Sequence, residues 1–204
     1  MRTTINVGRA RSTEEICYVI ALLNNYFKPY EMVSSNEIQF YHQSYSKLFP
    51  GEDYFIYKIT YDDRIIGGIL GVVLSEFVVI DYFVIEKQFR TESKEVFEAV
   101  IDKIRSFKKP VVIEAESEAL CRLYRMNGFK RFTELYEYPM ANVSLIASTI
   151  KIEMHKSNLL YLGKDGMIFD EVKNILYHKH YLRWYSIYRG KYYEEYLTTI
   201  KGIS

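Results

Sequence analysis

The chain has 204 residues, of which 49% are hydrophobic and 26% charged, and so carries enough apolar material for a globular core with an extension. A formal net charge of +1 excludes strong global attraction to nucleic acid or to an anionic membrane, so any partner has to be argued from a local site.

Met1 to Glu15 alternates polar and apolar residues, with no charged flank leading into an apolar run, so no signal peptide is read there. Ser12 or Thr13 caps a helix whose apolar positions Ile16, Val19, Ile20 and Leu23 recur at helical spacing, and Pro29 ends it. A second helix starts near Ser34 or Ser35 and runs through Ile38, Tyr41, Tyr45 and Leu48 to Pro50-Gly51. Two helices are thus expected before the sheet. Tyr54 to Tyr61 and Ile65 to Leu74 are rich in β-branched and aromatic residues, with hairpin chemistry at Asp62-Asp63, and a third strand follows from Phe77 to Ile85. The run Ile65 to Leu74 is the longest apolar one, yet it is about half the ~20 residues a membrane span needs, so it reads as a buried strand and no membrane association is expected.

Val96, Val100, Ile104 and Phe107 form one helical stripe that covers a sheet face. Pro110 opens a short strand, Val111 to Ala115, and Ser117 to Asn127 reads as a helix stopped by Gly128. This order implies a local parallel pairing across a crossover. Phe132 to Tyr138 and Thr149 to Lys156 read as further strands. Beyond Lys164-Asp165-Gly166 the pattern is helical through Ile168, Val172, Ile175 and Leu176 to Trp184, and Gly190 separates a last helix. Cys17 and Cys121, both in helical segments without pairing or metal-ligand spacing, read as reduced thiols among apolar neighbours, which suggests the cytoplasm. No two of His42, His155, His178 and His180 are at the i, i+4 spacing of a helical zinc pair, and no metal site is predicted.

The stretch from Ile65 to Met140, with its strand, helix, strand series and Leu123-Tyr124-Arg125-Met126-Asn127-Gly128-Phe129, resembles the GNAT family of acyl-coenzyme A-dependent N-acetyltransferases. The resemblance implies an α/β fold with a mixed, mostly antiparallel sheet of about seven strands flanked by helices. Residues 1–156 would form the acyl-CoA-binding domain, and 157–204 a helical, tyrosine-rich extension packed on it or on a partner subunit. It further implies that the sheet splays apart between Phe77 to Ile85 and Val111 to Glu116, and that main-chain groups of Phe83, Val84 and Ile85 hold the acyl and pantetheine groups of acetyl-CoA. The pyrophosphate would then meet the loop Arg90, Thr91, Glu92, Ser93 and Lys94, where the usual glycines are missing, and Ser117 would meet the cofactor where the family often has asparagine.

Tyr124 matches the tyrosine that protonates the departing thiolate in many members. A phenol with a pKa near ~10 is protonated at neutral pH and can donate. The base is sought among Glu114, Glu116, Glu76 and Asp81, with Glu116 preferred and Asp81 next; alternation puts Glu114 and Glu116 on one face, where neighbouring carboxylates raise one pKa. The aromatic tail, Tyr177 to Tyr196, is read as packing against the sheet or a second copy, as walling an acceptor pocket, or as stacking on nucleic acid, in descending order. The expected activity is transfer of an acetyl group to a primary amine of a small molecule or peptide. The rival reading is a non-catalytic GNAT-like binding module whose degenerate loop no longer takes CoA.

Overall fold

The computed structural model describes residues 4–28, 31–90, 93–139, 144–146, 149–163 and 165–202, with backbone alone for 93, 144–146 and 149–151. In chain order the first elements are β1 (Ile5–Arg9), α1 (Thr13–Tyr26), α2 (Ser35–Leu48), β2 (Asp53–Tyr61), β3 (Arg64–Val73) and β4 (Val78–Ile85). Then come α3 (Ser93–Arg105), β5 (Val111–Ala115), α4 (Glu118–Met126), β6 (Lys130–Arg131) and β7 (Tyr136–Pro139). A small hairpin of β8 (Ser144–Ile146) and β9 (Thr149–Lys151) precedes the long β10 (Met154–Leu162), and the tail holds α5 (Phe169–Ile175) and α6 (Tyr193–Lys201). An 8-stranded sheet runs β1-β2-β3-β4-β5-β10-β6, with β7 also paired to β10. Among the described residues only β4 and β5 pair in parallel; the other neighbours are antiparallel.

Local signals explain the elements. Ser12 and Glu15 close a capping box on α1, Ser34 caps α2, and Ser117 caps α4 by accepting from the Leu120 amide. Asp62 and Asp63 take φ of +45° and +65°, the left-handed pair that a two-residue hairpin requires. Gly128, at φ +91°, ends α4. At Gly71 a Cβ would stand 2.0 Å from the Val79 carbonyl oxygen, so only glycine lets β3 and β4 approach there.

The sheet separates two cores. On one face α3 and α4 pack Val96, Val100, Ile104 and Cys121 against Phe55, Ile69, Ile80 and Ile113. On the other, α1 and α2 share the sheet with the tail: Val19, Ile38 and Tyr41 belong to one cluster with Leu70, Val79, Val112, Leu176, Trp184, Tyr185 and Tyr196. Buried ion pairs fix the tail in place. Arg189 meets Glu37 at 2.8 Å, and Glu52 receives both Arg183 and Lys179.

Several expectations need correction. A strand, β1, precedes the two helices; the alternation of the first residues is that of an edge strand paired with β2. Of the expected strand Phe132 to Tyr138 only the end is a strand, β7, while β6 lies just before it at Lys130–Arg131 and Phe132 packs beside Tyr161 and Phe169. The strand expected at Thr149 to Lys156 belongs in part to the small hairpin, whereas the long strand continues to Leu162. Cys17 is exposed rather than packed, and Cys121 is buried. The helix expected to reach Trp184 runs on to Tyr188, α5 passing into π-helical turns at Leu176–Tyr181 and Trp184–Tyr188, and α6 is the last helix beyond Gly190. No helix among the described residues is long and apolar enough to cross a membrane.

Candidate active site

β4 and β5 share only three rungs, Val78 with Val111, Val79 with Val112, and Ile80 with Ile113. Beyond Ile80 the two strands separate, so the β5-facing backbone of residues 81–85 is not taken up by that pairing. Against β3 the register jumps at the same point: Gly71 faces Ile80 and Leu70 faces Tyr82, which leaves Asp81 as the extra residue of a β-bulge. Because of that bulge Asp81 and Tyr82 both turn to the tail-covered face instead of alternating, and Tyr82 joins the tail-side core with Val79 and Val84.

A cavity of about 520 Å³ fills the opening. It passes through the sheet, since its walls include Phe97, Leu120, Leu123 and Tyr124 from the α3–α4 side and His180, Tyr181, Trp184, Tyr185 and Arg189 from the tail. The predicted cofactor residues Phe83, Val84, Ile85 and Arg90 all line it. Arg90 is held there by its Nε donating to the Ile85 carbonyl at 2.9 Å and by stacking over Tyr26. Lys94 is not among the lining residues; it lies on the exposed surface of α3, 3.8 Å from Glu98. Ser117 is likewise absent from the walls, its oxygen engaged in capping α4. The backbone of Ser93 starts α3, while Thr91 and Glu92 lie outside the described residues. Residues 83–85 therefore offer main-chain groups to the opening, and Arg90 a cation beside them.

The three predicted catalytic residues, Tyr124, Glu116 and Asp81, all border the same cavity. Tyr124 is 5% exposed, wedged between Phe97 and Phe129, and burial pushes its phenol up, so it stays protonated. Glu116 accepts the Tyr138 hydroxyl at 2.6 Å. Asp81 Oδ1 lies 2.9 Å from His180 Nε2. Glu76 is bound by Lys179 and Ser75 and does not reach the cavity walls.

Glu114 shares the tail-side face with Glu116, as strand alternation requires, and also lines the cavity. Its carboxyl is pushed up to about 7, first by burial; the nearby Asp81 adds to this, while the Tyr181 hydroxyl that Glu114 accepts opposes it. The cause is thus chiefly desolvation, where the sequence suggested the Glu114–Glu116 pair.

Sequence reasoning missed His180 and Tyr181. Both sit in the π-helical turn at the C-terminal side of α5, and their contacts reach back to β4 and β5, far earlier in the chain. No histidine spacing could reveal this; the aromatic density of the tail, with its leaning toward a pocket wall, was the one available signal. The Asp81–His180 arrangement holds the imidazole by one nitrogen and leaves Nδ1, buried and without a partner, for other use. Among the described residues no group of three or more His, Cys, Asp or Glu could hold a metal ion.

No family model matches the chain, and no curated protein matches it by sequence. Solved structures do match. A putative GNAT-family acetyltransferase from Bacteroides thetaiotaomicron superposes with a TM-score of 0.63 at 18% identity, over 92% of this chain and 97% of that one. The ribosomal-protein-S18-alanine N-acetyltransferase of Escherichia coli superposes with a TM-score of 0.52 at 12% identity, over 81% of this chain and 100% of its own. A Bacillus subtilis acetyltransferase in complex with CoA gives a TM-score of 0.50 at 14% identity, covering 80% of this chain and 99% of that one.

Proposed function

Taking the GNAT fold of this chain as premise, we propose that it is an N-acetyltransferase that moves an acetyl group from acetyl-CoA to a primary amine. The observation that carries this reading is the cavity through the split sheet, which lets two reactants approach from opposite faces and meet beside Tyr124, Asp81 and His180. Acetyl-CoA supplies the acyl group as an activated thioester. Residues Phe83, Val84 and Ile85 would hold its arm by main-chain groups and Arg90 its phosphates.

On the tail side, Asp81 fixes the His180 ring through Nε2, so that Nδ1 takes the proton leaving the amine. The new N–C bond forms as the C–S bond breaks, and the Tyr124 hydroxyl gives its proton to the departing sulfur. Asp81 is in this account a positioning residue, and Glu116 a binding residue.

The test is thermal unfolding with and without acetyl-CoA. A ligand that binds only the folded state at ~100 times its Kd adds about 2.7 kcal/mol, which for a chain of this size raises Tm by roughly 5 to 10 °C. No shift at millimolar acetyl-CoA would replace the enzyme with a binding module, a reading favoured by the glycine-poor stretch after Gln88.

A further inference from the structure

The tail-side half of the cavity is unbalanced in charge and in hydrogen bonding. Its arginine, Arg189, is neutralised by a bidentate pair with Glu37 at 2.8 and 2.9 Å. Glu114 and Glu116 have no lysine or arginine partner among the described residues, and each is steadied instead by a tyrosine hydroxyl, from Tyr181 and Tyr138 respectively. Two further buried atoms, Asp81 Oδ2 and His180 Nδ1, have no hydrogen-bond partner among the described residues, and His180 is only 2% exposed. With Nε2–H donated to Asp81, Nδ1 is an acceptor. Both orphans therefore accept, as do the two uncompensated carboxylates.

An ammonium group is the complement of such a wall, because it carries three donors and no acceptor. The neighbouring rings of Tyr181, Trp184 and Tyr185 add faces that attract a cation. One ammonium does not satisfy the whole arrangement. Acetylation turns the reacting nitrogen into a neutral amide, which leaves Glu114 and Glu116 without a positive partner in the product complex. A second ammonium on the same molecule keeps them compensated throughout. On the transferase reading above, we propose that the acceptor is a small aliphatic diamine, one nitrogen meeting His180 and the other held by Glu114 and Glu116. Glu114 lies in β5 and Glu116 just beyond its end, so the two stand two residues apart on one side of the cavity. An acceptor with a carboxylate beside its amine is repelled by the same wall.

The test is CoA release measured with three acceptors of equal chain length: diaminobutane, butylamine and aminobutanoate. The expected result is a kcat/KM for the diamine about tenfold above that for butylamine, with aminobutanoate lowest. In Glu116→Gln the advantage shrinks through a rise in KM for the diamine, and Glu116→Asp restores part of it. Equal or better turnover of butylamine or aminobutanoate overturns the diamine while leaving the transferase intact. Absence of turnover with all three, in protein whose Tm acetyl-CoA raises, overturns it as well; absence of the Tm shift itself is failure of the enzyme reading instead.

Discussion

The two walls of the cavity differ in chemistry. On the α3–α4 side Phe97, Leu120 and Leu123 surround a single phenol, Tyr124, whose burial keeps it protonated. Across the sheet, Asp81, Glu114, His180, Tyr181, Trp184 and Tyr185 each bring a polar atom, and two of those atoms are buried without partners. An apolar wall can hold a thioester away from water and offer one proton. A wall rich in acceptors can select a cation and remove a proton. The two walls differ because the two faces of the sheet are covered by different parts of the chain.

Breaking the tail-side wall should have the largest effect. Arg189→Met strands the buried Glu37 carboxylate, which costs about 3–5 kcal/mol and lowers Tm by roughly 10 °C; a scan of the variant with unchanged Tm would show that the tail does not depend on this pair. Within a docked tail, His180→Ala should reduce kcat about 10³-fold while leaving the acetyl-CoA-induced Tm shift in place, and loss of that shift as well would place His180 on the cofactor side. Tyr124→Phe, on the apolar wall, should lower kcat by about 10²-fold without altering the fold; unaltered turnover removes Tyr124 as the acid.

The smallest effect concerns charge alone. The Glu114 carboxyl is raised in the folded chain to about 7, mainly by burial, against ~4.3 in the unfolded one. Its stabilising contribution is therefore complete below the unfolded value and is lost as pH rises through about 7. Glu114→Gln escapes that loss, so the variant should gain on the parent as pH rises from ~4 to ~8 in denaturant titrations, and a flat difference would contradict the burial of this carboxyl.

The helix that bears Tyr124 was legible in the sequence; of the polar wall the carboxylates Asp81, Glu114 and Glu116 were named, while His180 and Tyr181 were not. Ser117 and Gly128 mark the ends of α4 by their spacing, whereas Tyr124 was singled out by the resemblance to the GNAT family. Asp81 and His180 meet only because a bulge turns one and a π-helical turn presents the other, and neither device leaves a periodic trace. β10 was misplaced for a related reason. Asn158 to Leu162 lies between β5 and the short strand β6, with Leu159 and Leu160 buried in opposite cores, so it lacks the polar–apolar alternation that marked β1. The Glu114–Glu116 alternation was readable, but the burial that raises the Glu114 carboxyl comes from the tail that covers it.

The contact between Asp81 and His180 also sets an order of events during synthesis. Residues of β4 through α4, Tyr124 among them, emerge from the ribosome before His180. Domains form as units from the N-terminal side, and contacts of long sequence separation close late. On the proposed function, the nascent chain would thus acquire the residues assigned to the acyl donor and to the acid while still lacking the base, and chemistry would begin only when the tail has folded back across the sheet.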